Sequence, residues 1–376
     1  RALFPDADDG ILKYLDDDGT PVEPIFYAPI IPMILVNGSK GIGTGFSTDI
    51  MCYDPLALIS YVEASIKGED MKPSLTPYYE GFKGTITTIN ESKWLIKGKY
   101  DIISDKKVRV TELPVGTWTD DYKKYIEDLI EGDTGKKSRK KKSSGVVRDY
   151  TDMSTDVSVD ITITFNSGVV QPLLTQETEY GCNALEKLLK LYTTRTTTNM
   201  HMFDETEKLR KFSSPEEIVD CYMGPRRQAY ADRKKHQIGI LTRESTVLSN
   251  KARFIAAILD DSLDLRKKKK DVVSAMLASA GYDVVDDDED FKYLVRLPMD
   301  SVTEENVEKI MKERDSKLAE LEELKATSEE AMWLSELAAL RKEYMDYRRK
   351  REAANTAPSA KKKLKLKSSG KKKKKA

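Results

Sequence analysis

Four glycines two or three residues apart, Gly38, Gly41, Gly43 and Gly45, follow the stiff apolar run Pro29-Ile-Ile-Pro-Met-Ile-Leu-Val-Asn37. One bulky hydrophobe, Ile42, stands between two of them. Glycine lets a backbone approach a partner closely and turn through positive φ. Ile42, with no side chain on either neighbour, is presented like a wedge. Two nucleotide-binding patterns fail on spacing. No Gly-x-x-x-x-Gly-Lys-Ser/Thr run is present, and Gly41-x-Gly43-x-Gly45 is not Gly-x-Gly-x-x-Gly. Read alone, an apolar residue at a strand end is a packing residue, and that is the plain reading of Ile42.

A second cluster lies in Lys190-Leu-Tyr-Thr-Thr-Arg195-Thr-Thr-Thr-Asn199-Met-His-Met-Phe-Asp204. Threonine hydroxyls, an amide and two cations gather there without apolar periodicity. Such groups bind phosphate oxygens, and the same composition makes a β-rich turn. The acidic runs Asp6-Ala-Asp-Asp-Gly10 and Asp16-Asp-Asp-Gly-Thr20 are turn chemistry. They lack the Asp-x-Asp-x-Asp-Gly spacing and distal glutamate of a calcium loop. Cys52, Cys182 and Cys221 are far apart and form no Cys-x-x-Cys pair, so a disulfide framework is excluded and a reduced, intracellular setting expected. With only His201 and His236, no zinc site can be drawn.

The elements that must hold these clusters are mixed. The chain is 34% charged with zero formal net charge, yet Asp286–Asp290 is acidic while 136–142 and 361–375 are basic. Neutrality with basic blocks implies local contacts with a polyanion. No apolar run is long enough to span a membrane, so no membrane partner is expected. Residues 81–89, 93–100 and 107–112 read as strands. Val157, Val159, Ile161, Ile163 and Phe165 alternate with polar residues and predict a strand with one buried face. A helix is expected over 119–131, stopped by Gly132, and a short one over 184–191. Ser214-Pro-Glu-Glu217 is a helix start. Gly224-Pro225 then interrupts the helix, since an internal proline removes a hydrogen bond. Ser301-Val-Thr-Glu304 and Thr327-Ser-Glu-Glu330 read as capping boxes. Beyond them Trp333, Leu337, Leu340, Tyr344 and Tyr347 have the spacing of a coiled-coil seam. The basic loop is a solubilising or localisation run, or an extra phosphate contact. The lysine-rich tail reads as disordered, with a nuclear address or non-specific DNA attraction as its role.

The glycine segment resembles the eukaryotic type IIA DNA topoisomerases, which carry Pro-Ile-Ile-Pro-Met-x-Leu-x-Asn-Gly-x-x-Gly-Ile-Gly-Thr-Gly-aromatic-Ser. Further resemblance lies in Arg1-Ala-Leu-Phe-Pro5, in Leu113-Pro-Val-x-Thr-Trp118-Thr and in the Lys-Leu-x-Thr-Thr run. It implies an α+β multidomain chain. Residues 1–50 end a winged-helix DNA-gate domain, and 51–205 form an α/β tower with a basic loop at 134–147. Residues 206–352 form a long antiparallel coiled-coil arm with a small helical C-gate at about 264–300, and 353–376 the disordered tail. Ile42 would enter the minor groove and bend the duplex. Lys40, Gly41, Gly43, Lys190, Thr193, Thr194, Arg195, Thr198 and Asn199 would contact DNA. Arg195 departs from the family, where an apolar residue is common.

The resemblance also implies a nuclear, homodimeric enzyme closed through the C-gate. Magnesium and ATP would serve the full enzyme, with no cofactor held by this chain. The cleaving tyrosine, metal-binding carboxylates and ATPase would lie before Arg1, leaving this stretch unable to cut DNA. A non-catalytic DNA-architectural or coiled-coil scaffold protein of the same fold is the alternative. A gyrase of the bacterial type fits less well, because the Pro-Ile-Ile-Pro run and basic tail point to the eukaryotic kind.

Overall fold

The computed structural model describes residues 1–131, 146–266, 268–298 and 303–356. Gly132, most of the basic loop, Ser301 and the lysine-rich run at 361–375 lie outside them. After a 3-10 turn at Asp6–Ile11 comes the ribbon β1 (Tyr14–Asp17) and β2 (Thr20–Pro24). Pro29–Pro32 then crosses the interior and enters α1 (Met33–Asn37). The hairpin β3 (Ser39–Ile42) and β4 (Ser47–Ile50) follows, and then α2 (Pro55–Lys67). Asp54 caps α2 by accepting the Leu56 N–H. Ile30, Ile31, Leu35, Tyr53, Leu58 and Val62 form a buried core here, together with Val219, Tyr230, Trp333 and Leu337 from far along the chain.

The next unit holds β5 (Thr85–Asn90), β6 (Lys93–Lys97), β7 (Lys99–Ser104), β8 (Lys107–Glu112) and α3 (Thr119–Glu131). It continues with β9 (Val147–Asp152), β10 (Ile161–Phe165), α4 (Val170–Thr175), α5 (Ala184–Leu188) and β11 (Tyr192–Thr196). The expected run 93–100 is not one strand. Gly98 divides it between two sheets, of order β11-β6-β5 and β7-β8-β10-β9. The chain passes so close there that a Cβ on Gly98 would sit 2.3 Å from the Glu112 carbonyl oxygen. The expected strand 157–165 shortens to β10. Thr155 and Ser158 close a tight turn through backbone and hydroxyl bonds, leaving Val157 at its tip, 75% exposed. Helix α3 has the expected bounds and packs Tyr122 and Ile126 on Val108, Val110, Ile161 and Ile163.

The ribbon β12 (Met200–Phe203) and β13 (Leu209–Phe212) leads into α6 (Pro215–Leu259). The expected start is observed: Ser214 accepts the Glu217 N–H, with Pro215 in the first turn. The expected break is not. Helix α6 runs through Pro225 because tertiary bonds hold both flanks: Tyr222 donates to the Pro29 carbonyl, and Arg226 to the Ala28 carbonyl at 2.7 Å. Packing outweighs local propensity in such helices.

A small unit with α7 (Lys270–Ser279) and α8 (Lys292–Val295) packs Phe254, Leu277, Phe291 and Leu294 together. Helix α9 (Glu304–Ala326) then returns along α6. Lys317 meets Glu244 and, past the turn, Glu329 meets Lys234, so the two helices are antiparallel. Thr303 caps α9, its hydroxyl accepting the Asn306 N–H, and Ser328, not Thr327, accepts the Ala331 N–H as α10 (Glu329–Thr356) begins. The Trp333, Leu337 and Leu340 stripe is no coiled-coil seam. It is buried in the first core, with the Trp333 indole donating to the Ile30 carbonyl at 3.0 Å. Spacing of four and three marks one apolar face but not what covers it. Helix α10 also continues to Thr356, beyond the expected boundary at 352.

Candidate nucleic-acid interface

Residues Gly43 to Phe46 turn the β3–β4 hairpin, with the Gly43 N–H donating to the Phe46 carbonyl at 2.8 Å. Gly45 takes φ +86°, a conformation that favours glycine. Ile42 pairs with Ser47, and Lys40 with Asp49. Cross-strand partners share a face, and successive residues alternate. Ile42, Lys40, Ser47 and Asp49 therefore stand on one face of the ribbon. Ile42 is 92% exposed and Lys40 is exposed, so the plain packing reading of Ile42 fails. A Cβ on Gly41 would meet nothing within 4 Å, so that flank of Ile42 is open, while a Cβ on Gly43 would press on the Phe46 ring at 2.9 Å.

The structure brings the threonine-rich cluster to this ribbon. The Asp49 N–H donates to the Asn199 carbonyl at 2.8 Å, and the Asn199 amide donates to the Ser47 hydroxyl at 3.0 Å. His201 Nδ1 faces two oxygens, the Ser47 carbonyl at 3.1 Å and the Asn199 side chain at 3.0 Å, and so carries the proton. Phe46 and Phe203 meet edge to face. Arg195 forms an ion pair with Asp49 and donates to the Tyr79 hydroxyl at 3.4 Å. Burial pushes the Tyr79 hydroxyl and the Cys52 thiol up in pKa, and in each the Arg195 charge opposes the rise.

The cluster does not act as one patch. Thr193 and Arg195 lie on one face of β11, and Thr194 and Thr196 on the other. Thr198 is exposed, its hydroxyl donating to that of Thr196 at 3.2 Å. Lys190 sits apart, at φ +49°, with its ammonium 3.7 Å from the centre of the Tyr125 ring. Sequence reading missed Ser47, Asp49, Tyr79 and the bracing role of His201. The signal for His201 was its place two residues from Asn199, hence the same face of an extended chain. Among the described residues, no three His, Cys, Asp or Glu side chains are grouped to hold a metal ion, and no helix is long and apolar enough to cross a membrane.

The hairpin thus lifts one bare isoleucine between glycines, beside a layered α/β unit and a long helix pair. The family profile for the A-type subunit of DNA gyrase/topoisomerase IV matches residues 1–338, and the chain belongs to that family. It is 34% identical over 393 residues to DNA topoisomerase 2 of Plasmodium falciparum, covering 96% of this chain and 27% of that protein. It is 32% identical to human DNA topoisomerase 2-beta over 371 residues, 90% of this chain and 22% of the relative. The crystal structure of the Plasmodium falciparum topoisomerase II DNA-binding, cleavage and re-ligation domain superposes with a TM-score of 0.80 at 33% identity, over 94% of this chain and 49% of that one. The chain is thus of the type IIA topoisomerases and spans about a quarter of those two full-length relatives.

Proposed function

We propose that this chain forms the bending half of the DNA gate and the exit-gate arm of a type II topoisomerase. The observation that carries this is Ile42, 92% exposed on a ribbon braced at its root. Burying an isoleucine is worth roughly 1.5–3 kcal/mol. Unstacking a base step costs a few kcal/mol. Ile42 therefore places the bend, and phosphate contacts must supply the rest. Lys40 and Thr198 are exposed and open to that role, whereas Gly43 gives its N–H to the Phe46 carbonyl and Gly41 is paired with Thr48 in the ribbon.

The winged-helix end, the tower and the coiled-coil arm are our assignments for the first core, the two-sheet unit and the α6–α9 pair. The unit at the end of that pair leaves Leu259, Val272, Val284 and Val295 exposed. A second copy of the chain covers this surface in our reading and closes the exit gate. Magnesium, ATP and the cutting tyrosine belong to other groups of the working enzyme, which acts in the nucleus. Tyr230, whose ring lies between Arg226 and Arg233, is fully buried and bonded to Glu336, so it cannot reach DNA.

The test uses a duplex carrying donor and acceptor dyes at its ends. Wild type should raise energy transfer on binding, and Ile42→Ala should lose most of that rise while keeping affinity within about threefold. Equal bending by the variant overturns the wedge. Relaxation of supercoiled DNA by this chain alone, with magnesium and ATP, overturns the assignment of cutting to other groups.

A further inference from the structure

By composition Arg195 belongs with the phosphate-binding cations, but its guanidinium is committed elsewhere. It pairs with Asp49 and reaches the Tyr79 hydroxyl at 3.4 Å. Asp49 is also gripped through its backbone, its N–H bonding the Asn199 carbonyl at 2.8 Å. From these contacts we infer that Arg195 is a positioning residue for the Ile42 ribbon and not a phosphate ligand, an inference that rests on the wedge reading above.

Two effects follow from the geometry. Asp49 lies across from Lys40, one ladder step on the same face from the Ile42–Ser47 pair. Fixing Asp49 at both backbone and carboxylate fixes the register and tilt of the ribbon beneath Ile42. Asp49 is also a carboxylate on the face proposed to meet phosphate. Left bare, it would repel DNA, since juxtaposed like charges weaken association. Arg195 neutralises it. The pair is 21% and 28% exposed on its two side chains, so salt screens it less than a fully open pair.

The test uses the full chain, the dye-labelled duplex at about 30 base pairs, and Arg195→Met, Arg195→Lys, Asp49→Asn and the Arg195→Met/Asp49→Asn double variant. Circular dichroism confirms folding, and Asp49→Asn keeps the question open to test should Arg195→Met not fold. Arg195→Met is expected to lower affinity roughly tenfold by baring Asp49. It should also cut the ratio of bent to unbent complexes roughly fivefold. Asp49→Asn should show a similar bending loss with affinity kept. The double variant should bend no worse than Asp49→Asn and recover affinity, because the two residues act as one unit. Arg195→Lys should recover most of the bending. The inference is overturned if Arg195→Met lowers the salt dependence of binding by about one phosphate contact while Asp49→Asn bends DNA normally. Failure of the wedge reading itself would show in a different variant, as normal bending by Ile42→Ala.

Discussion

The wedge ribbon and the root of the arm are built on opposite plans. The ribbon leaves Ile42 in water and is held by half-exposed polar contacts. At the arm root, charged groups are taken out of water altogether. Arg226 and Arg233 of α6 are buried around Asp8, at 2.8 and 3.3 Å. Glu336 of α10 reaches Arg233 at 2.8 Å and the Tyr230 hydroxyl at 2.6 Å. Arg226 also holds the Ala28 carbonyl, Tyr222 the Pro29 carbonyl and Trp333 the Ile30 carbonyl. The three carbonyls are consecutive and belong to the segment that feeds the ribbon. One region is made rigid so that the other can stand exposed. Burying ion pairs gains little net stability, but breaking one is costly. Their use here is best understood as fixing the path of residues 28–30.

The largest effect should come from breaking the rigid region. Asp8→Ala strips both arginines of their buried partner and should lower unfolding stability by about 3–5 kcal/mol, read as a fall in the urea midpoint. An unchanged midpoint would mean that Glu336 alone suffices to hold the arginines. Next comes Gly98→Ala between the two sheets. Its Cβ would press on the Glu112 carbonyl, and the backbone shift should cost roughly 1–3 kcal/mol. A silent substitution would show that the division at Gly98 does not need glycine. Smallest is Ile42→Ala, which should change stability by less than about 0.5 kcal/mol, since the side chain packs on nothing the protein must keep. A larger loss would place Ile42 in the fold and not in the interface. The three values in that order would sustain the contrast between the regions.

The same contrast explains what could be read in advance. The glycines around Ile42, the Ser214 helix start and the α3 stripe are local signals, and each lies within a few residues of what it determines. The Asp49–Arg195 pair joins residues 146 apart, and Asp8–Arg226 joins residues 218 apart. No local pattern announces such partners. Asp8 reads as turn chemistry, which it also is, and Arg195 as a phosphate ligand. The α10 stripe shows the same limit from the apolar side. Its spacing gave a buried face correctly, but only the long-range fold decides that α2, α6 and the segment around Ile30 together cover it. Pro225 fails as a helix breaker for the converse reason: bonds to residues 28 and 29 hold the helix where the backbone alone would not.

The central claim is that Ile42 enters the DNA stack, and a fluorescent adenine analogue placed in turn at each step of a bound duplex tests it most directly. The account predicts that fluorescence rises at a defined step with wild type, as that base loses its neighbour, and that Ile42→Ala abolishes the rise while still binding. Fluorescence that stays quenched at every step with wild type, or a rise that persists in Ile42→Ala, would contradict it.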